Sequence, residues 1–160
     1  MNMQKILVPL DGSKLAEKAL PYAEEFAQKF DAELILVWAL QPQPIVAMSD
    51  YGAASYGTLL DSEEDEAKEY LHQLRQEISE RQVRVRTAVL KGHSVAEAIV
   101  DLAEQEQVDF IVKTTHGRSG LSRWIYGSVA TKVLQQAPCP IFLVRVSGRE
   151  NENESEAEAG

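Results

Sequence analysis

The residues best suited to chemistry fall in two short segments. One runs from Lys113 to Ser128 and reads Lys-Thr-Thr-His-Gly-Arg-Ser-Gly-Leu-Ser-Arg-Trp-Ile-Tyr-Gly-Ser. Gly117, Gly120 and Gly127 let backbone approach a ligand closely and take left-handed conformations. Gly127-Ser128 opens a predicted helix, so the free N–H groups of Ser128, Val129 and Ala130 point at whatever lies ahead of them. A helix start with its dipole favours an anion. Lys113, Arg118 and Arg123 add positive charge there, in a chain whose formal net charge is −9. Phosphate is the guest that suits this chemistry. The other segment, Pro9-Leu10-Asp11-Gly12-Ser13, offers a carboxylate. Asp11 can accept from a ribose hydroxyl or help hold a hydrated Mg2+. The carbonyl and amide of Ala39, at the end of a predicted strand, can read an adenine edge.

Each residue also has a plainer role. Asp11 can accept from backbone amides of its own turn. Ser13 and Ser128 are helix caps first, and Ser128 can cap and touch phosphate at once. Lys113 can be a solvated side chain at a strand end, and His116 a backbone contact without imidazole chemistry. The single cysteine, Cys139, lies between two prolines and reads as a small, partly buried residue.

Missing residues exclude other classes. There is no Gly-x-x-x-x-Gly-Lys-Ser/Thr of a P-loop and no Gly-x-Gly-x-x-Gly after the first strand. A phosphorylated receiver needs an acidic third strand and a lysine after the fifth. Here the third ends Val89-Leu90-Lys91-Gly92 and the fifth runs into Arg145. Asp11 alone is not a catalytic constellation, so at most weak hydrolysis is expected.

These segments need a scaffold. Lys5 to Leu10 is an apolar run closed by a turn, which predicts a strand. A helix follows, capped by Ser13, with Ala16, Ala19, Leu20, Ala23, Ala27 and Phe30 as its apolar positions. Pro21 predicts a bend or a short first segment within it. Glu33 to Leu40 is the second strand. Residues 41–58 lack periodicity and read as a mobile loop. Ser62-Glu63-Glu64-Asp65 then has the spacing of a helix start, with a core stripe of Ala67, Tyr70, Leu71, Leu74 and Ile78. Val83 to Val89 alternates and keeps one face partly polar, as an edge strand does. Ser94 caps a third helix, with Glu97 closing the box and Val95, Ala98, Ile99 and Leu102 facing inward. Asp109 to Lys113 is the fourth strand, Val129 to Gln136 the fourth helix, and Ile141 to Val146 the fifth strand.

Every strand-to-strand connection contains a helix. That predicts an α/β fold, a five-stranded parallel sheet with helices on both faces. With the first strand central and the third at one edge, the order is 3-2-1-4-5. The tips of strands 1 and 4 then lie side by side where the winding reverses, which is where ligands bind in such sheets. Both unusual turns are at those tips.

The chain has 160 residues, enough for one domain, assigned to 1–146. Residues 149–160 carry one arginine against five glutamates and no large apolar side chain, so 147–160 is expected to be a disordered acidic tail. The acidic balance argues against nucleic acid as a partner. No apolar run reaches the ~18–20 residues of a membrane helix, and the N-terminus lacks a signal-peptide layout. A cytoplasmic protein with no membrane partner is expected. Ile141, Phe142, Leu143, Val144, Arg145 and Val146 would form an apolar edge strand, which invites pairing with a second copy. A homodimer through strand 5 follows, with Val144→Lys expected to shift it toward monomer.

The chain resembles the universal stress proteins of the UspA superfamily. The resemblance is carried by Ile6-Leu7-Val8-Pro9-Leu10-Asp11-Gly12-Ser13, by His116-Gly117-Arg118-Ser119-Gly120-Leu121, and by Gly127-Ser128-Val129-Ala130 with Ala137-Pro138-Cys139-Pro140-Ile141. It covers residues 3–146 and implies a Rossmann-like fold of the adenine nucleotide alpha hydrolase type, with strand-5 dimers. The ATP-binding branch resembles Gly-x2-Gly-x9-Gly-Ser/Thr. Gly117 and Gly127-Ser128 match its second half, while Thr114 stands where its first glycine would be. The resemblance implies ATP and Mg2+ as ligands. Pro9, Leu10, Asp11, Ser13 and Ala39 would then hold the nucleoside. Lys113, Thr114, Thr115, His116, Gly117, Arg118, Ser119, Gly120, Gly127, Ser128, Val129 and Ala130 would wrap ribose and phosphates. The activity implied is that of a stress-response nucleotide sensor or adaptor. The alternative is a dimeric interaction module that has lost the nucleotide, to which Thr114 points.

Overall fold

The structure, a computed structural model, describes residues 3–41, 53–115 and 128–146. Strand β1 (Lys5–Leu10) leads through α1 (Lys14–Glu17) and α2 (Leu20–Phe30) to β2 (Glu33–Ala39). Helix α3 (Ala53–Glu80), β3 (Arg84–Leu90), α4 (Val95–Gln105), β4 (Phe110–Thr115), α5 (Ser128–Gln136) and β5 (Ile141–Arg145) complete the chain. The sheet order is β3-β2-β1-β4-β5 and every pair is parallel, as expected.

Alternation along each strand sorts the core into two layers. Ile6, Val8, Leu34, Leu36, Phe110 and Val112 pack under α1, α2 and α3. Leu7, Ile35, Val37 and Ile111 pack with Ala96, Ile99, Ala103 and Val133 of α4 and α5. Both faces of the central strands are covered, so β1 and β2 read as unbroken apolar runs. At the edge, Arg86 of β3 reaches Glu33 and Glu106, at 3.2 and 2.7 Å.

Pro21 divides the first helix as expected: α1 ends at Glu17 and the proline falls in the first turn of α2, where its missing N–H costs nothing. Three expectations are corrected. Helix α3 begins at Ala53, inside the segment read as a loop, and runs through Ser62, which is therefore no cap. Phe30 is 41% exposed, because α2 ends there and Asp31 turns the chain left-handed at φ 51°. Val144 and Val146 are buried within the protomer, so Val144→Lys would strike the core rather than an interface. Residues 42–52 of the expected loop and the tail 147–160 lie outside the described residues.

Candidate functional site

Strands β1 and β4 pair at Ile6–Phe110 and Leu7–Ile111 and at no later position. Beyond Leu7 and Ile111 their carboxyl ends run on without a shared ladder, to Leu10 and Thr115. Pro9, which has no N–H to give, lies in that unpaired stretch. A cavity of about 370 Å3 lies at the strand ends.

Most of the predicted residues that are described meet there. Pro9, Leu10, Asp11 and Ser13 line it from β1 and its turn, and Ala39 from the end of β2. Lys113 and Thr114 line it from β4, and Val129 and Ala130 from the first turn of α5. Thr115 is not among the lining residues. His116, Gly117, Arg118, Ser119, Gly120 and Gly127 lie outside the described residues, and Ser128 is described only as the start of α5.

The β1 turn is built by its own side chains. Asp11 Oδ1 accepts from the Ser13 N–H at 3.0 Å and from Ser13 Oγ at 2.6 Å. Ser13 Oγ in turn accepts from the Ala16 N–H at 3.1 Å and caps α1. The plainer reading of Asp11 therefore holds for one oxygen, while Oδ2 has no hydrogen-bond partner among the described residues. Gly12 has φ +78°, and a Cβ built there would lie 2.5 Å from the Trp38 ring. No other residue type fits.

Sequence reasoning missed six lining residues, Leu15, Ala16, Trp38, Gln41, Val95 and Ile99, of which Trp38 is the largest. It packs edge-on against Tyr70 with centroids 5.3 Å apart, and the Tyr70 hydroxyl donates to Glu17 Oε1 at 3.2 Å. Burial first, and then Glu17, push the Tyr70 phenol above its usual range. The available signal was an aromatic residue one position before Ala39, at a strand tip beside the switch point. Val95 and Ile99 of α4 close the apolar side. Ser94 Oγ accepts from the Glu97 N–H at 3.1 Å and fixes that helix start, as expected.

The polar character of the crevice rests on few groups. Thr114 is buried at 9% exposure. Lys113 is half-buried, and burial pushes its ammonium below the usual lysine range while Asp11 pulls it back. Asp11 is the one carboxylate among the lining residues, and no cluster of three His, Cys, Asp or Glu side chains exists among the described residues. The donor set for a protein-held Mg2+ is therefore missing there. Cys139 is half-buried against the second core layer, and burial raises its thiol above the usual range. No helix among the described residues is long and apolar enough to cross a membrane.

Comparison with known proteins agrees with this fold. The universal stress protein family model matches residues 2–145. Universal stress protein MJ0531 of Methanocaldococcus jannaschii is 33% identical over 92% of this chain and 85% of its own length. The solved structure of MJ0577, from the same organism, superposes with a TM-score of 0.78 at 27% identity, covering 92% of this chain and 99% of that one. Two more distant structures share the fold. One is a universal stress protein in complex with cAMP, at TM-score 0.68 and 22% identity, covering 92% of this chain and 100% of that one. The other is from Archaeoglobus fulgidus in complex with dAMP, at TM-score 0.65 and 23% identity, covering 89% and 98%. The chain belongs to the universal stress protein family.

Proposed function

We propose that this chain binds ATP in the crevice between the tips of β1 and β4 and acts as a stress-response nucleotide sensor or adaptor in the cytoplasm. The observation that carries this reading is the convergence of Asp11, Ala39, Lys113 and the start of α5 on one cavity at the switch point. Asp11 Oδ2 is the acceptor for a ribose hydroxyl, held in place because Oδ1 is tied to Ser13. Ala39 presents backbone to the base. The N–H groups at the head of α5 take phosphate. That distant relatives of this fold hold cAMP and dAMP supports an adenine nucleotide as the ligand class. Among the described lining residues Asp11 is a lone carboxylate, which supports binding rather than turnover. Any Mg2+ would arrive on the phosphates of the nucleotide.

The same reading includes a homodimer through β5. Phe142 on that edge strand is 39% exposed and lies tilted against Tyr22, itself 47% exposed, at a centroid distance of 5.8 Å. A second reading, a dimeric interaction module without nucleotide, is favoured by Thr114 alone. Its branched side chain lines the cavity and takes up room there.

Denaturing the purified protein and assaying for released adenine nucleotide, followed by calorimetric titration with ATP, tests the proposal. Binding is expected, weakened about tenfold in Asp11→Ala by loss of a charged hydrogen bond. No released nucleotide and no heat at millimolar ATP would contradict it and leave the second reading.

A further inference from the structure

Lys113 is out of place as a strand residue. Along β4, Ile111 points into the core layer beneath α4 and α5. Strand alternation puts Lys113 on that same face, where a further apolar residue would continue the packing. Instead a half-buried lysine lines the cavity with Pro9, Ala39, Ile99 and Val129.

Several other cations among the described residues are paired. Lys5 and Arg86 share Glu106 at 3.0 and 2.7 Å, Arg81 is 2.6 Å from Glu24, and Lys91 meets Glu64. Lys113 has no carboxylate within ion-pair distance among the described residues, and Asp11 acts on it only through space. Holding a cation in a partly dry cavity without a contact partner costs stability. An anion arriving in the cavity removes that cost. A divalent cation adds to it, because the one carboxylate among the described lining residues already acts on the ammonium through space and has one oxygen tied to Ser13.

We propose that Lys113 is the phosphate-selecting residue of this crevice and takes the place of a divalent cation, so that nucleotide phosphate binds without Mg2+. The inference rests on the nucleotide reading and adds to it the source of the charge that meets the phosphate. A charged donor in a low-dielectric pocket makes a stronger hydrogen bond than a neutral one and needs no metal to do so.

The test is calorimetry on the full chain with adenosine, AMP and ATP, each in EDTA and in Mg2+, for the natural protein, Lys113→Met and Lys113→Arg. AMP is expected to bind about tenfold more tightly than adenosine in EDTA, with added Mg2+ changing that preference little. Lys113→Met should abolish the preference and Lys113→Arg should keep most of it. The melting temperature of ligand-free Lys113→Met should equal or exceed that of the natural protein, because a half-buried charge with no ion-pair partner among the described residues has gone. A lysine serving only the fold would show the reverse. Equal affinity for AMP and adenosine in EDTA, a preference that survives Lys113→Met, or equal weakening of both ligands in that variant would overturn the inference while leaving the nucleotide reading intact. Failure of all three adenine compounds to bind would overturn both.

Discussion

Asp11 and Gly12 show how much a few atoms decide at the strand tip. The carboxylate is fixed by Ser13, and the glycine is fixed by the Trp38 ring that would collide with any Cβ. Thr114 is the opposite case, a side chain that the site would be roomier without. Thr114→Gly is expected to raise ATP affinity about three- to tenfold by relieving crowding, and to lower stability by about 1 kcal/mol through strand entropy. Calorimetry and urea denaturation measure the two effects, and unchanged affinity would remove Thr114 as an obstacle. At this scale the sequence is readable where a residue stands at a strand tip. Asp11, Ala39 and Lys113 were placed by strand ends alone. Trp38 was not, because a tryptophan in an apolar run looks like core until its position beside the turn is known. Val144 was misjudged for a related reason: edge strands alternate too, and its side chain turns inward.

The elements matter here chiefly through where they stop. β1 and β4 lose their common ladder after two pairs, and the gap becomes the cavity. α4 starts where Ser94 lets it, which places Val95 and Ile99 on the apolar wall. Ser94→Ala should cost about 1 kcal/mol of unfolding free energy, read from a urea midpoint, because the Glu97 N–H loses its acceptor. A loss below a few tenths would mean that water replaces the cap at no cost. Strong caps and prolines were legible: Ser13, Pro21 and Ser94 all sit where expected. The start of α3 was not. Gly57 and Ser62 look like interruptions, yet a helix already nucleated carries a glycine at about 1 kcal/mol.

For the whole molecule, the alternation of strand and helix was enough to predict strand order, since right-handed crossovers leave few arrangements. That order puts the nucleotide crevice beside β1 and β4 and leaves β5 at an edge. Its aromatic cluster, with Phe142 5.0 Å from Phe26, is the patch on which the proposed dimer rests. Phe142→Lys should move the sedimentation coefficient from dimer toward monomer in a chain that stays folded by circular dichroism, with the melting temperature lowered by loss of the Phe26 and Tyr22 contacts. An unchanged dimer would place the interface elsewhere. Sensor, adaptor and phosphate selection all require an adenine nucleotide at those two strand tips. Backbone amide shifts of the isotope-labelled chain, followed by NMR during ATP titration, address it most directly. The largest changes are expected at Asp11, Ala39, Lys113 and Val129, with the far strand ends at Lys5 and Arg84 still. Saturating ATP that leaves those four amides unmoved, or moves a different surface, would contradict it.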